Sequence, residues 1–243
     1  MGNIIHLTET ESTNQYLSTL QRKERPEEGT IVVTDFQTAG KGQTGNSWES
    51  ETGKNLTFSI ILYPDVIEAH EQFIISQLIS LAIIDTLKPI INDVSIKWPN
   101  DIYVGDKKIA GILIENVLSG KHIESCIIGI GLNVNQEIFS STAPNPVSLK
   151  QLTNKHFDLS ILLEDIRNNI FTRYLQILNE DSATIFSEYF KNLYRKEGYH
   201  TYKTEKDTFE AKINAVLCSG QLVLETKEGK VLNFSFKEVQ VKI

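Results

Sequence analysis

The sequence predicts an α+β fold that ends in a small C-terminal β-barrel, on three observations. Strand-like segments follow one another from Val94 to Asn135 with only tight turns between them, the pattern of an antiparallel meander. The longest runs of helical periodicity lie outside that meander, at 73–87 and from Ser160 onward. From Tyr199 the chain alternates in short segments that turn at Gly220 and at Glu228-Gly229, which suits four or five short strands of a barrel.

Residues 3–7 read as a strand, and Ser12 or Thr13 then offers an N-cap to a helix with Tyr16, Leu17 and Leu20 on its apolar face. Two β-branched strands follow, GTIVVTDFQ and NLTFSIILYP, joined by a long glycine-rich loop. Phe73 to Leu87 reads as a buried helix. Gln77, Ser80 and Asp85 interrupt it and Pro89 ends it, so it is too short and too polar to span a bilayer. VSIKW, DIYVGDKKIAGILIENVL and HIESCIIGIGLNVN supply the meander, with turns at Gly105-Asp106 and Ser119-Gly120. SSTAPNP, residues 140–146, is a loop by its Pro, Ser and Asn content. From Ser160, Ile161, Leu162, Glu164 and Asp165 open a helix to Leu178, and SATIFSEYFKNLY supplies another behind Asp181 and Ser182. A boundary near residue 195 then divides the chain into domains 1–195 and 196–243.

With 243 residues and 40% apolar content, the chain can bury a full core. Its formal charge of -7 argues against a broad phosphate-binding face as its main business. Cys126 and Cys218 both lie in β-branched, apolar surroundings and read as reduced, buried thiols. MGNIIHLTE lacks the charged start and apolar core of a secretion signal, so the expected location is the cytoplasm.

TAGKGQTGNSW places Gly40, Gly42 and Gly45 in the G-x-G-x-x-G spacing of a dinucleotide fingerprint. The preceding strand is present, but NSWESETGKN has no apolar face at helical period, so the required helix is missing. A Walker loop fails as well, because Gly42 stands where Ser or Thr should bind magnesium. What the glycines permit is either a plain hairpin loop or one whose backbone N–H groups approach an anion, with Lys41 adding charge.

IKWPNDIYVGDKKIAGILIE gathers polar groups where strands end. Pro99 removes a ladder donor, so Asn100 and Asp101 can leave the sheet and face a ligand. Lys108 reads either as a solvated hairpin lysine or as a cation aimed into a pocket. Together with these residues, five blocks in order, ESTNQYL, FQTAGKGQTGNSW, KWPND, KKIAGILIE and GIGLNVN, resemble the successive site segments of the biotin protein ligases, also called biotin-[acetyl-CoA-carboxylase] ligases. The similarity extends over roughly residues 4–190.

The resemblance implies a mixed β-sheet with flanking helices, akin to class II aminoacyl-tRNA synthetases, followed by an SH3-like barrel. It implies a ligase that joins biotin to ATP as biotinyl-5'-AMP and then acylates one lysine of a biotin carboxyl carrier protein domain, with Mg2+ assisting. With no winged-helix segment before residue 4, the chain resembles the monofunctional type, which does not bind DNA. Carried onto matching positions, biotin would be met by Ser12, Thr13, Asn14, Gln37, Gly40, Lys41, Gly42, Gln43, Lys108, Gly111, Gly129 and Gly131. Trp48, Asn100, Asp101, Lys108 and Asn133 would meet ATP or the adenylate, with Trp48 covering the adenine or else plugging the core. Lys108, Lys41 and Asp101 are the candidate catalytic groups. The loop would order around biotin or its adenylate and shield the mixed anhydride from water.

The family loop usually reads Gly-Arg-Gly-Arg, and here Lys41 and Gln43 replace both arginines, so two bidentate forks are lost. A lipoate or octanoate ligase of the same architecture and a non-catalytic biotin-binding module are the alternatives. An exposed edge strand would serve a homodimer or carrier docking.

Overall fold

The computed structural model describes residues 2–43, 46–140 and 145–243. Gly45, third glycine of the spacing above, and most of the loop expected at 140–146 lie outside the described residues. The first sheet has seven strands: β1 (Ile4–Thr10), β2 (Ile31–Gln37), β3 (Leu56–Leu62), β4 (Val94–Lys97), β5 (Asp101–Val104), β6 (Lys107–Ser119) and β7 (His122–Leu132). Their order is β1-β2-β3-β7-β6-β5-β4, so the expected meander forms one half of the sheet. β1 and β2 pair in parallel and every other neighbouring pair is antiparallel, which makes the sheet mixed. A parallel pair needs a crossover, and α1 (Thr13–Glu24) supplies it.

α2 (Phe73–Leu87) coincides with the apolar window, and every residue in it except Asp85 is buried. Two of its polar residues are accommodated locally: Ser80 and Thr86 donate to the carbonyls of Ser76 and Ala82 one turn back, at 2.7 and 2.9 Å. Asp85 leaves the apolar face and pairs with Arg173 Nε at 2.8 Å. α4 (Leu159–Leu178) and α5 (Ser182–Lys191) cover α2 from outside. The cap of α4 is Asp158, whose carboxylate accepts from Ser160 N at 2.8 Å, one residue earlier than the sequence pattern suggested. A short helix that the periodicity did not reveal, α3 (Leu149–Thr153), is started by a reciprocal capping box between Ser148 and Gln151.

The tail folds into β8 (His200–Lys203), β9 (Thr208–Val216), β10 (Leu222–Thr226), β11 (Val231–Phe234) and β12 (Gln240–Val241). These form an antiparallel sheet in the order β11-β10-β9-β8-β12. Among the described residues no pairing joins β11 to β12, so the sheet is not closed into the expected barrel. β12 has only two residues, and both are used on β8. Trp98 Nε1 donates to Gly220 O at 2.9 Å, and Phe236 packs its ring 5.4 Å from Trp98 and 5.9 Å from Phe73. One apolar core therefore runs beneath both sheets. Cys126 is buried as expected, but Cys218 is exposed, because it lies in the turn between β9 and β10 and not on a strand. Among the described residues no helix is long and apolar enough to cross a membrane.

Candidate active site

Register places the site across five strands. Lys97 of β4 stands opposite Asp101 of β5, Asp101 opposite Gly111 of β6, Gly111 opposite Gly131 of β7, and Gly131 opposite Thr57 of β3. Directly opposed residues share a face, so this row forms the floor of one cavity. Two residues along, Leu113, Gly129 and Ser59 form a second row. The cavity has a volume of about 510 Å³ and is bounded on its far side by the C-terminal sheet, through Tyr202, Ile213, Leu222, Lys237, Val239 and Gln240.

Glycine is required in the floor because Trp48 lies on it. A Cβ on Gly131 would stand 2.2 Å from the indole, and one on Gly111 would stand 3.2 Å from it. Among the described residues the buried indole Nε1 has no hydrogen-bond partner, nor has Thr57 Oγ1, leaving an unpaired donor and an unpaired hydroxyl within the site. The loop that carries Trp48 is tied back by Trp48 N donating to Gly40 O at 3.0 Å and Gly42 N to Asn46 O at 2.9 Å, with a bridge between Lys41 and Ser47.

At the charged end Lys108 Nζ is 2.6 Å from Asp101 Oδ1 and 5.8 Å from the centroid of the Trp48 ring. Its neighbour Lys107 is exposed, so the two hairpin lysines separate as the alternating strand geometry requires. The Lys108 backbone is clamped by hydrogen bonds with Asn145 and Val147, at 2.8 and 2.9 Å. Asn100 holds the strand end by donating Nδ2 to Ile112 O at 2.7 Å. Lys97 lies 5.0 Å from the Tyr103 ring centroid. Burial pushes its ammonium below the ordinary lysine range, Asp101 partly opposes this, and Lys108 and Arg195 add to it. Tyr194, also in the lining, is pushed up to about 12 by burial and by its hydrogen bond to Asp106.

At the opposite, polar end Ser12 occupies the N-cap position of α1 without using its hydroxyl as a cap. Thr13 N and Oγ1 lie 2.8 and 3.2 Å from Gln37 Oε1. Ser59 Oγ lies 2.7 Å from Thr13 Oγ1 and 2.6 Å from Asn14 Oδ1, and Asn14 Nδ2 donates to Glu115 at 2.7 Å. Gly129 leaves room for this, since a Cβ there would meet Asn14 Oδ1 at 2.5 Å.

Of the residues expected at the site, Ser12, Thr13, Asn14, Gln37, Lys41, Gly42, Gln43, Trp48, Asn100, Asp101, Lys108, Gly111, Gly129 and Gly131 line this one cavity. Gly40 and Asn133 do not. Gly40 packs behind the loop, where a Cβ would come within 2.8 Å of Trp48 O and 2.9 Å of Gln37 Nε2. Asn133 is buried, donates Nδ2 to Val147 O at 3.2 Å and has no partner for Oδ1 among the described residues. The sequence reading assigned no role to Lys97, although KWPND contains it, nor to Thr57, Ser59 and Glu115. Nothing in the sequence of the tail signalled that Tyr202, Lys237 and Gln240 would face the same cavity.

Four lysines line the cavity, Lys41, Lys97, Lys108 and Lys237, against Asp101 as the one lining carboxylate among the described residues. In a chain of net charge -7 this is a local excess of basic side chains. No group of three or more His, Cys, Asp or Glu could hold a metal among the described residues. The single carboxylate suits a Mg2+ that is held mainly by substrate phosphates and water, and does not suit a protein cage.

Residues 7–133, which contain the first four motif blocks and the fifth as far as Asn133, match the model of the biotin/lipoate A/B protein ligase family. The bifunctional ligase/repressor BirA of Bacillus spizizenii is 31% identical over 239 residues, covering 93% of this chain and 70% of that protein. BirA of Escherichia coli is 36% identical over 135 residues, 55% of this chain and 40% of that protein. The fold superposes on a biotin protein ligase from Aquifex aeolicus, solved in complex with biotin and ATP, with a TM-score of 0.81 at 26% identity, covering 100% of this chain and 99% of that one. With the family's segments meeting in one cavity and matched over more than half its length, the chain belongs to the biotin/lipoate A/B protein ligase family.

Proposed function

We propose that the cavity binds biotin at its Thr13–Gln37 end and ATP at its Lys108–Asp101 end. The enzyme is a biotin protein ligase: it activates biotin to biotinyl-5'-AMP and passes the biotinyl group to a lysine of a biotin carboxyl carrier domain. One observation carries the assignment of ends: a polar, hydroxyl- and amide-lined pocket and a lysine-rich pocket share a single glycine floor.

In the first step the biotin carboxylate attacks the α-phosphorus of ATP and pyrophosphate leaves. Two anions must approach, and Lys108 lowers their repulsion most when charge accumulates between them in the transition state. Its present partner is Asp101 at 2.6 Å, so ATP binding exchanges a carboxylate for a phosphate on the same ammonium. Asp101, with Asn100 beside it, would hold Mg2+, which neutralises phosphate charge. Lys41 and Lys97 add positive potential, and Trp48, which lies over the glycine floor, covers the adenine. In the second step the carrier lysine attacks the acyl carbonyl and AMP leaves. Lys41, Gly42, Gln43 and Trp48 keep water from the anhydride until then.

Two units, 1–195 and 196–243, fit this reading, the first resembling the class II aminoacyl-tRNA synthetase sheet and the second an SH3-like module that walls the cavity. The outer edge of β1, which pairs only with β2 among the described strands, is where a carrier domain or a second copy would add. A cytoplasmic enzyme with no DNA partner completes the proposal. Incubating the protein with ATP, Mg2+ and each of biotin, lipoate and octanoate, with acyl-adenylates read by mass spectrometry, tests it. Biotinyl-AMP alone is the expected product, and lipoyl- or octanoyl-AMP in its place overturns the biotin assignment.

A further inference from the structure

We infer that Glu115, Asn14 and Ser59 form a hydrogen-bond relay that fixes the direction of the Thr13 hydroxyl, making Thr13 an acceptor that selects a ligand with a ring N–H. The inference rests on the biotin reading of this cavity and adds positioning roles for Ser59, which lies outside the motif blocks, and for Glu115, which closes the block KKIAGILIE.

The direction follows from which groups can donate. Asn14 Nδ2 lies 2.7 Å from a carboxylate oxygen of Glu115 and 3.5 Å from Leu113 O. Both are acceptors only, so the amide nitrogen must point at them and Oδ1 must point the other way. Oδ1 is 2.6 Å from Ser59 Oγ, and an amide oxygen cannot donate, so the single proton of Ser59 is committed to Asn14. Ser59 Oγ is also 2.7 Å from Thr13 Oγ1, and the proton in that contact must then come from Thr13. The alternative acceptor for Thr13, Gln37 Oε1, is farther at 3.2 Å and already receives Thr13 N at 2.8 Å. Turning the Thr13 proton there would leave two oxygens 2.7 Å apart with no proton between them.

Thr13 therefore spends its proton on Ser59 and offers the cavity lone pairs. A freely rotating hydroxyl would meet an N–H or a ring oxygen equally well; this one meets only the N–H. Ser59, Thr13 and Asn14 are 0%, 3% and 4% exposed, so water cannot repair a mismatch. A cyclic urea satisfies the site. A ring in which the facing N–H is replaced by oxygen opposes lone pair to lone pair.

The test compares biotin with the two cyclic carbamates in which one or the other ring N–H is replaced by oxygen. Dissociation constants are measured by calorimetry for the wild type, Ser59→Ala and Glu115→Ala. Ser59→Ala removes one oxygen from a buried strand, and Glu115→Ala alters an exposed position, so the second variant serves if the first folds poorly. The wild type is expected to reject one carbamate by about 100-fold, and both variants to reject it by less than about 10-fold, because the Thr13 proton is freed to meet the ring oxygen. Weaker binding of biotin and both carbamates with the ratio unchanged would mean a purely structural role and overturn the relay. A wild type that binds no biotin overturns the functional reading, and the relay with it.

Discussion

Gly131 lies beneath the indole of Trp48 so closely that a methyl group in place of its hydrogen would stand 2.2 Å from the ring. The glycine is thus a statement about the tryptophan. Gly131→Ala is expected to lift the indole from the floor into water, shifting its fluorescence emission to the red, and to weaken ATP binding by at least about 10-fold, at roughly 1.4 kcal/mol per tenfold. The shift should vanish in a Gly131→Ala, Trp48→Phe double variant, which isolates the reporter.

Lys108→Ala should cut biotin-dependent ATP–pyrophosphate exchange by at least about 100-fold, the scale seen when a single group stabilising developing charge is lost. Binding of biotin should change far less, because the polar end of the cavity is built by other residues. Near-normal exchange would remove Lys108 from the chemistry.

Gln43 lines the cavity on the loop, where an amide can hydrogen-bond but not neutralise an anion. Gln43→Arg restores a charged fork and is expected to slow escape of biotinyl-AMP by several-fold in a filter-release assay. Equal release rates would show that the loop holds its intermediate by packing alone.

Lys97 gives a prediction with a defined pH sign. Burial lowers its folded pKa from the ordinary 10.5, so the charged side chain opposes folding at neutral pH. That opposition is relieved as pH rises from the lowered value toward 10.5, because there the unfolded chain binds the extra proton. Lys97→Met should therefore raise Tm at pH 7, with an advantage that shrinks as pH approaches the lysine range, while weakening ATP binding.

Trp98 ties the two sheets together across the cavity wall through its 2.9 Å hydrogen bond to Gly220 O. Trp98→Phe keeps the ring contact with Phe236 and loses the donor, at a cost of about 1–3 kcal/mol if the carbonyl stays buried. A lower Tm with a raised KM for ATP is expected, since Lys237 and Gln240 are positioned from the C-terminal side.

Much of this protein was legible in its chain. The helix at 73–87 is predominantly apolar and reads as buried, and the meander announced itself by β-branched runs and tight turns. Lys108 and Asp101 stood out because polar groups cluster where strands end, whereas Thr13, Gln37 and Trp48 were marked by the resemblance of their blocks to the family's segments. Neither signal showed where the side chains point.

What only the tertiary structure decided is what those motifs share. Ser59 reads in sequence as one more residue of a buried strand, and it becomes the hinge of a proton arrangement only because Asn14 and Thr13 arrive from a helix and Gly129 makes room. Lys237 and Gln240 join the cavity because Trp98 and Phe236 dock the second sheet against the first. Sequence determines periodicity and residue chemistry, which are local. Convergence of side chains depends on strand register and on packing between distant segments, which no local pattern encodes.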